Sequence, residues 1–429
     1  MDTMKKKCAI YVGTFFGTTF LLWMFLVVAA MIPNSLIQEN MKESALAYAR
    51  TDAFVYSEKQ NETVDNYADA IWLNIAWYMG EGNPFVSTLD TCYYDGEEYG
   101  ENVGLYLAVT DDTVTPNTDY TRYWHGTAGI LRILHIFTNV TVIKNIGFTV
   151  AALLAASVMF LLIKDRKGSL AIAFLVSLCM VQFWNIRSCM EYQPAFIISF
   201  LMCILYLLLE KKGDDYLVAL SIAGGVLIAF FDFLTTETMV ILLPLILMTA
   251  VRSLDKRVRG FKETIKNVMI QGGAWLVAYG AAFVIKWSLA NLLTGENKFI
   301  AALDSVSERV NSITPYGNEM NMFSRIFYAP AANISTALGA TQRIDIFLLI
   351  TVGLVTLIFV VYLFEKISRK EIDKVSTKVL LLLGSMILMR YMVLSNHSYI
   401  HAFFTYRGMI SLIMALFSVL IINKKSVQK

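Results

Sequence analysis

Charge is scarce in this chain. Asp, Glu, Lys and Arg make up 16% of its 429 residues, hydrophobic residues 56%, and the formal net charge is +2. The few charges fall in scattered short segments, so there is no broad basic surface to neutralise a nucleic-acid backbone, and no nucleic-acid partner is expected. Cysteine is sparse as well. Cys8, Cys179, Cys189 and Cys203 lie in or beside apolar runs and Cys92 stands alone in a long polar segment, which leaves no disulfide framework and no paired zinc spacing. Phosphate-cradling glycine loops, dinucleotide fingerprints and hydrolase serine elbows are missing too, so ATP-driven chemistry within the chain is not expected. The stretch "IAGGVLIAF" reads instead as apolar helix in which Gly224 and Gly225 admit a close neighbour.

What fills the chain is apolar sequence, with a mean hydropathy of +0.56. Runs long enough to cross about 30 Å of hydrocarbon recur about ten times. They lie near 8–32, 141–163, 169–186, 194–209, 216–232, 236–251, 267–293, 345–364, 379–395 and 403–422. The expected fold is an all-α integral membrane protein of about ten transmembrane helices. The first run follows Lys5–Lys7 and is too long for a cleaved leader, so residues 1–32 read as an uncleaved signal anchor. With the N-terminus inside, "KDRKG", "EKKGDD", "RSLDKRVRGFKETIK", "EKISRKEIDKVSTK" and "NKKSVQK" all become cytoplasmic. Together with residues 1–7 they hold 22 of the 36 Lys and Arg, the bias that positive-inside topology produces. Both termini are therefore expected in the cytoplasm.

This topology leaves two long segments outside, residues 33–140 and 294–344. Residues 141–293 carry spans two to seven, and 345–429 carry the last three spans and the tail. Long loops on a rigid scaffold tend to carry function, which makes the extracytoplasmic face the working side. In the first loop, "SLIQENMKESALAYA" and "ETVDNYADAIWLNIAWYMG" read as amphipathic helices. "TRYWHGTAGILRILHIFTNV" reads as a helix lying in the membrane interface, with Tyr123, Trp124 and Arg132 at headgroup level.

Candidate chemistry starts at Asp65 and Asp69, four residues apart in a helical pattern, with Trp72 one turn on; that spacing predicts two carboxylates facing one cavity. A second group gathers at the outer ends of spans. It comprises Arg187, Glu191 and Tyr192 in "WNIRSCMEYQP", Asp232, Thr235 and Glu237 in "FFDFLTTETM", and His397, His401, Tyr406 and Arg407 in "SNHSYIHAFFTYRG". Ionisable groups at membrane depth are costly and usually face a protein-lined or wet cavity. His397 and His401 lack the intervening glutamate of a metalloprotease motif, so no metal site is expected. Arginine forks and histidines suit an anionic phosphate better.

One span, a large acidic first loop and basic groups at the outer surface together resemble the C-type glycosyltransferase (GT-C) superfamily. More closely, "VDNYADAIWLN", "RYWHG" with "LRIL", "FFDFLTTETMVILLPLI" and "NHSYIHAFFTYR" are similar to a group of polytopic membrane proteins of Firmicutes. The resemblance implies a bacterial plasma-membrane enzyme that moves a sugar from a polyprenyl-phosphate donor to a cell-envelope glycan, lipid or protein, with inversion and without a cofactor. By position it implies Asp65 as general base with Asp69 beside it, with Glu39, Glu43 and Asp52, which follow the first span more closely, as alternative bases. Arg122, His125, Arg187, His397, His401 and Arg407 would hold the donor phosphate. Trp72, Tyr123, Trp124, Glu191, Tyr192, Asp232, Thr235, Glu237 and Tyr406 would line the substrate pocket. Two other functions compete: a lipid or polysaccharide transporter or flippase, and an envelope-polymer polymerase or ligase. The absence of an internal repeat and the gathering of polar groups at one face favour surface chemistry over transport.

Overall fold

A computed structural model describes residues 2–300, 303–304, 322–369 and 372–424. Residues 301–302 and 305–321 of the expected second outer segment, and residues 425–429 of the tail, lie outside the described residues. Nearly all the regular structure is helical. In chain order the helices are α1 (Asp2–Ala30), α2 (Asn34–Ala49), α3 (Asn66–Tyr78), α4 (Pro84–Ser87), α5 (Gly100–Thr110), α6 (Gly126–His135), α7 (Val140–Lys164), α8 (Gly168–Met180) and α9 (Gln193–Leu209). They continue with α10 (Asp214–Phe231), α11 (Met239–Leu254), α12 (Phe261–Thr294), α13 (Met322–Ala337), α14 (Ile346–Ser368), α15 (Lys374–Val393), α16 (Ser395–Ile400), α17 (Ala402–Thr405) and α18 (Ile410–Lys424).

Among the described residues, seven helical stretches are long and apolar enough to cross a membrane: Met4–Ala30, Val140–Lys164, Asp214–Phe231, Phe261–Thr294, Ile346–Ser368, Lys374–Val393 and Ala402–Asn423. The chain is thus a helical protein of multi-pass membrane character. The three other expected spans correspond to shorter apolar helices, Gly168–Met180, Gln193–Leu209 and Met239–Leu254. Length alone therefore separates seven spans from the expected ten. The short α11 is nonetheless deeply enclosed, since every residue from Met239 to Val251 is buried. A helix sheathed by protein on all sides reads as apolar throughout, like one facing lipid.

Helix starts follow capping chemistry. The Asn139 side chain accepts from the Thr141 and Val142 amides at α7, Asp345 from Leu348 at α14, and Asp373 from Ser376 at α15. Close packing follows from glycine. A Cβ on Gly225 would sit 2.5 Å from the Trp275 carbonyl oxygen and one on Gly224 2.9 Å from Cε of Met202, so α10 lies directly against α12 and α9 as the double glycine predicts.

Segments that the charge pattern places on one side also touch one another. Lys7 pairs with Asp215, Lys167 with Asp255, and Arg252 and Arg257 with Glu210; Ser253 donates to Asp373, whose amide donates to Asn423. The opposite end gathers residues 33–140. Helices α2, α3, α5 and α6 share a core that includes Ile37, Met41, Trp72, Leu105 and Leu131, braced by two-residue ladders pairing Phe54 with Asp65 and Cys92 with Asp119.

Helix α6 departs from its expected interfacial position. It packs among α1, α2, α3 and α10, and Trp124 and Arg132 are fully buried. Arg132 donates to the carbonyls of Ala29, Ile32, Ala76 and Trp77 and to the Asn34 side chain. Those acceptors are the frayed carbonyls of α1 and α3, so the guanidinium closes two helix ends at once. An amphipathic pattern records one polar stripe, and here the stripe faces helix termini instead of lipid headgroups.

Candidate functional site

The site forms where α3 begins. Asp65 is the N-cap of α3, with extended backbone (φ −98°, ψ 93°) and a carboxylate accepting from the Ala68 amide at 2.9 Å. Asp69 lies inside the first turn. Helical periodicity begins only after the cap, so the i, i+4 rule does not place both acids on one face. This corrects the expectation of a shared cavity for the pair.

Asp65 lines a cavity of about 300 Å³ together with Phe54, Tyr67, Tyr120, Arg122, Tyr123, Glu191, Phe233, His397, His401 and Phe404. Asp69 does not. Its carboxylate, wholly buried, takes Lys144 at 3.0 Å, the Tyr48 hydroxyl at 2.8 Å, and the amides of Met190 at 2.9 Å and Glu191 at 3.1 Å. Asp69 therefore pins the 189–191 turn and so aims Glu191 at the cavity.

Two carboxyls, Asp65 and Glu191, thus meet at one wall. Burial, with the Asp69 charge adding to it and the Ala68 amide opposing it, pushes the Asp65 carboxyl up to about 7. Glu191 is pushed well above the usual carboxylate range by burial and then by the Asp65 charge; among the described residues its Oε2 has no hydrogen-bond partner. Asp232 sits behind them, capped by the Thr235 amide at 2.8 Å and by the Thr235 hydroxyl. It too is raised to about 7 by burial and by the nearby Glu237 charge. Buried acids with raised proton affinity around a cavity are the environment of a general base that works near neutral pH.

Arginine and histidine side chains occupy other parts of the site. The Arg122 guanidinium lies 3.9 Å over the Tyr120 ring and presents to the cavity with its Nε unpartnered. The His397 and His401 rings lie 4.8 Å apart, with His397 Nε2 donating to the Leu234 carbonyl at 2.9 Å. Arg407 is buried beneath, 4.2 Å over the Tyr192 ring, and among the described residues its one hydrogen bond runs to the Phe403 carbonyl at 3.3 Å. A guanidinium has five N–H donors, so Arg407 is short of acceptors.

Other predicted residues lie elsewhere. Arg187 is exposed, donates to Asn145 at 2.6 Å, and borders a separate groove with Lys144 and Thr51. Trp72 packs edge-on against Phe233, with centroids 4.6 Å apart, and Trp124 stacks on Phe230 at 4.0 Å while donating to the Ala282 carbonyl. Both are core. Tyr406 contacts the Asn61 carbonyl at 3.5 Å. Glu237 is consumed by Arg390, at 3.0 and 2.9 Å. His125 stands behind the wall; its Nε2 must donate to the Tyr120 carbonyl at 2.7 Å, which leaves Nδ1 as an acceptor. Burial, then the Lys286 charge, lowers its proton affinity well below the ordinary value. A neutral ring with only a lone pair to offer does not suit a phosphate, which corrects its expected role.

Three functional contributions escaped the sequence. The aromatic rings of Phe54, Tyr67, Tyr120, Phe233 and Phe404 carry no local signature. Arg390 and Lys286 do, because each interrupts an apolar run with a charge. Leu234 shows only in the backbone: its φ of +69° is unusual for a side chain of that size, and its carbonyl receives both Arg390 and His397.

No family model, curated protein or solved structure matches the chain.

Proposed function

We propose that the chain is a membrane glycosyltransferase of the C-type resemblance, working at the extracytoplasmic face of a bacterial plasma membrane with both termini in the cytoplasm. It takes a sugar from a polyprenyl-phosphate donor and passes it to a hydroxyl of a cell-envelope acceptor. The observation behind this is the placement of the Asp65 carboxylate in an aromatic-walled cavity that also receives Arg122. Aromatic faces suit the C–H faces of a pyranose ring, and the guanidinium suits a phosphate.

The chemistry distributes as follows. The acceptor oxygen gives its proton to Asp65 as it forms a bond to the anomeric carbon, and the bond from that carbon to the phosphate oxygen breaks with its electron pair on the phosphate. Arg122, with Arg407 as the donor-rich cation below, stabilises that departing charge. Attack from one face and departure from the other inverts the anomeric centre. Burial raises Glu191 well above the usual carboxylate range and Asp65 to about 7, and of these two cavity carboxyls Asp65 is the one assigned to take the proton.

Purified protein in nanodiscs, given radiolabelled polyprenyl-phosphate hexoses and envelope extracts, tests this directly. Sugar transfer is expected, and Asp65→Asn is expected to lower it by about 10²–10⁴-fold, the usual contribution of a general base. Transport of the labelled lipid without transfer, unaffected by Asp65→Asn, overturns the proposal.

A further inference from the structure

Two segments far apart in the chain share the cavity wall. The turn between α10 and α11 supplies Phe233, while the six-residue helix α16 and the residue after it supply His397 and His401. Neither segment fixes its own geometry, because a turn and so short a helix are marginal without tertiary contacts.

Arg390, in the last turn of α15, joins them. It is buried, and every part of its guanidinium fork is in use. Nε donates to one Glu237 oxygen at 3.0 Å, and one terminal nitrogen donates to the other at 2.9 Å. That same nitrogen reaches the Leu234 carbonyl at 2.8 Å and the Thr235 carbonyl at 3.3 Å, while the second terminal nitrogen donates to the Ser398 hydroxyl at 3.2 Å. One side chain thus grips the 234–237 turn and α16 together. Ser398 is held from its other side as well, since its carbonyl accepts from the Asn333 amide at 2.8 Å and Asn333 in turn accepts from the Thr405 hydroxyl at 2.7 Å. The second segment is therefore moored to α13, and Arg390 carries the connection across to the first.

Neutralising a buried charge needs Glu237 alone; the rest of the fork serves another end. Leu234 has a left-handed backbone (φ +69°), a strain that persists only where surrounding contacts over-determine it. In that conformation its carbonyl takes two donors, Arg390 and the His397 Nε2 at 2.9 Å. A carbonyl oxygen only accepts, so the His397 Nε2 carries a proton and its ring is tied to the oxygen that the guanidinium holds. Phe233, one residue earlier, is set against Trp72 and Tyr123, with ring centroids 4.6 and 4.9 Å away.

We propose that Arg390 is a positioning residue of the candidate site, which fixes the His397 ring through the Leu234 carbonyl and holds the Phe233 turn in register with α16. Its effect on transfer rests on the glycosyltransferase reading; the lock between Arg390, Leu234 and His397 does not.

The chain has four histidines, so ¹⁵N-histidine NMR of the full-length protein in nanodiscs resolves each ring once single His→Asn variants have assigned them. In the unmodified protein His397 is expected to carry a hydrogen-bonded proton on Nε2; a bare lone pair there overturns the proposal before any variant is made. Glu237→Leu combined with Arg390→Met then removes the lock without leaving a buried charge unpaired. The His397 Nε2 resonance is expected to move toward that of a ring averaging between tautomers, while His135, held by Ser44 and Leu131, reports an intact fold. An unmoved His397 beside a native His135 overturns the lock. Should the double variant not fold, Arg390→Lys keeps the charge opposite Glu237 but not the fork that spans Leu234 and Ser398. It is expected to shift His397 by a smaller amount, and no shift overturns the proposal equally. In the transfer assay the double variant is expected to raise the donor KM several-fold with a smaller change in kcat, even where its melting temperature recovers; a KM that recovers along with the melting temperature marks Arg390 as merely structural and overturns its positioning role. If His397 is locked but the unmodified protein turns over no donor, the functional reading fails and the lock stands.

Discussion

Asp65→Asn separates stability from activity in a pH-dependent way. In the folded chain the Asp65 carboxyl titrates at about 7 against an ordinary 3.8, chiefly because it is buried. A folded-state value above the unfolded one means that the folded form favours the protonated acid. Below about pH 4 both states are protonated and Asp65 exerts no penalty. As pH rises to about 7 the unfolded carboxyl ionises while the folded one retains its proton, and the fold loses stability at about 1.4 kcal/mol per pH unit. Across some three units that is about 4 kcal/mol, constant above neutrality. Asparagine has no such proton and still caps the Ala68 amide, since Asn and Asp serve equally at an N-cap. The variant should therefore match the parent near pH 4 and exceed it increasingly up to about pH 8. Tryptophan-fluorescence melting in nanodiscs, run at several pH values between these limits, measures the difference between the two proteins. A gain that is flat with pH, or a variant less stable than the parent at pH 8, would refute the placement of an ionisable, desolvated carboxyl at the mouth of α3. The same titration predicts that sugar transfer rises with pH through about 7, because only the ionised carboxylate accepts the proton.

Removing Asp69 should have the opposite character: Asp69→Ala strands Lys144 and frees the Met190 and Glu191 amides. A loss of about 3–5 kcal/mol is expected, read as a fall in melting temperature and in monodisperse yield. Arg187→Ala, at an exposed site outside the cavity, should change stability by less than about 0.5 kcal/mol and leave transfer intact, whereas Arg407→Lys should depress transfer because a single ammonium cannot replace the fork over Tyr192. Glu237→Gln leaves Arg390 buried without its charge partner and should cost about 3–5 kcal/mol, while the paired change Glu237→Leu with Arg390→Met should recover much of that loss in the same melting assay.

How much of this was legible beforehand depends on the range of the interaction. Membrane character and the positions of the apolar helices follow from local composition, because each helix satisfies its own backbone and needs only enough apolar residues in a row. The contact of Gly224 and Gly225 with neighbouring helices was legible for a similar reason, since a missing Cβ on an apolar helix implies a close partner. Cavity residues Asp65, Arg122, Tyr123, Glu191, His397 and His401 were also named from the sequence, because polar groups at the ends of apolar runs have few places to go.

What only the tertiary structure decided is the direction each of those groups faces. Asp65 and Asp69 share a sequence pattern and part company at a cap, one residue before helical periodicity begins. Arg132 and Trp124 carry the signature of a membrane interface and are enclosed, because carbonyls from α1 and α3 converge on the guanidinium from segments far apart in the chain. The pairing of Glu237 with Arg390 joins residues more than 150 positions apart. A sequence records how much polar and apolar surface each segment carries; which buried donor meets which acceptor is set only when distant helices pack, since hydrogen bonds act over about 3 Å and leave no trace in local composition.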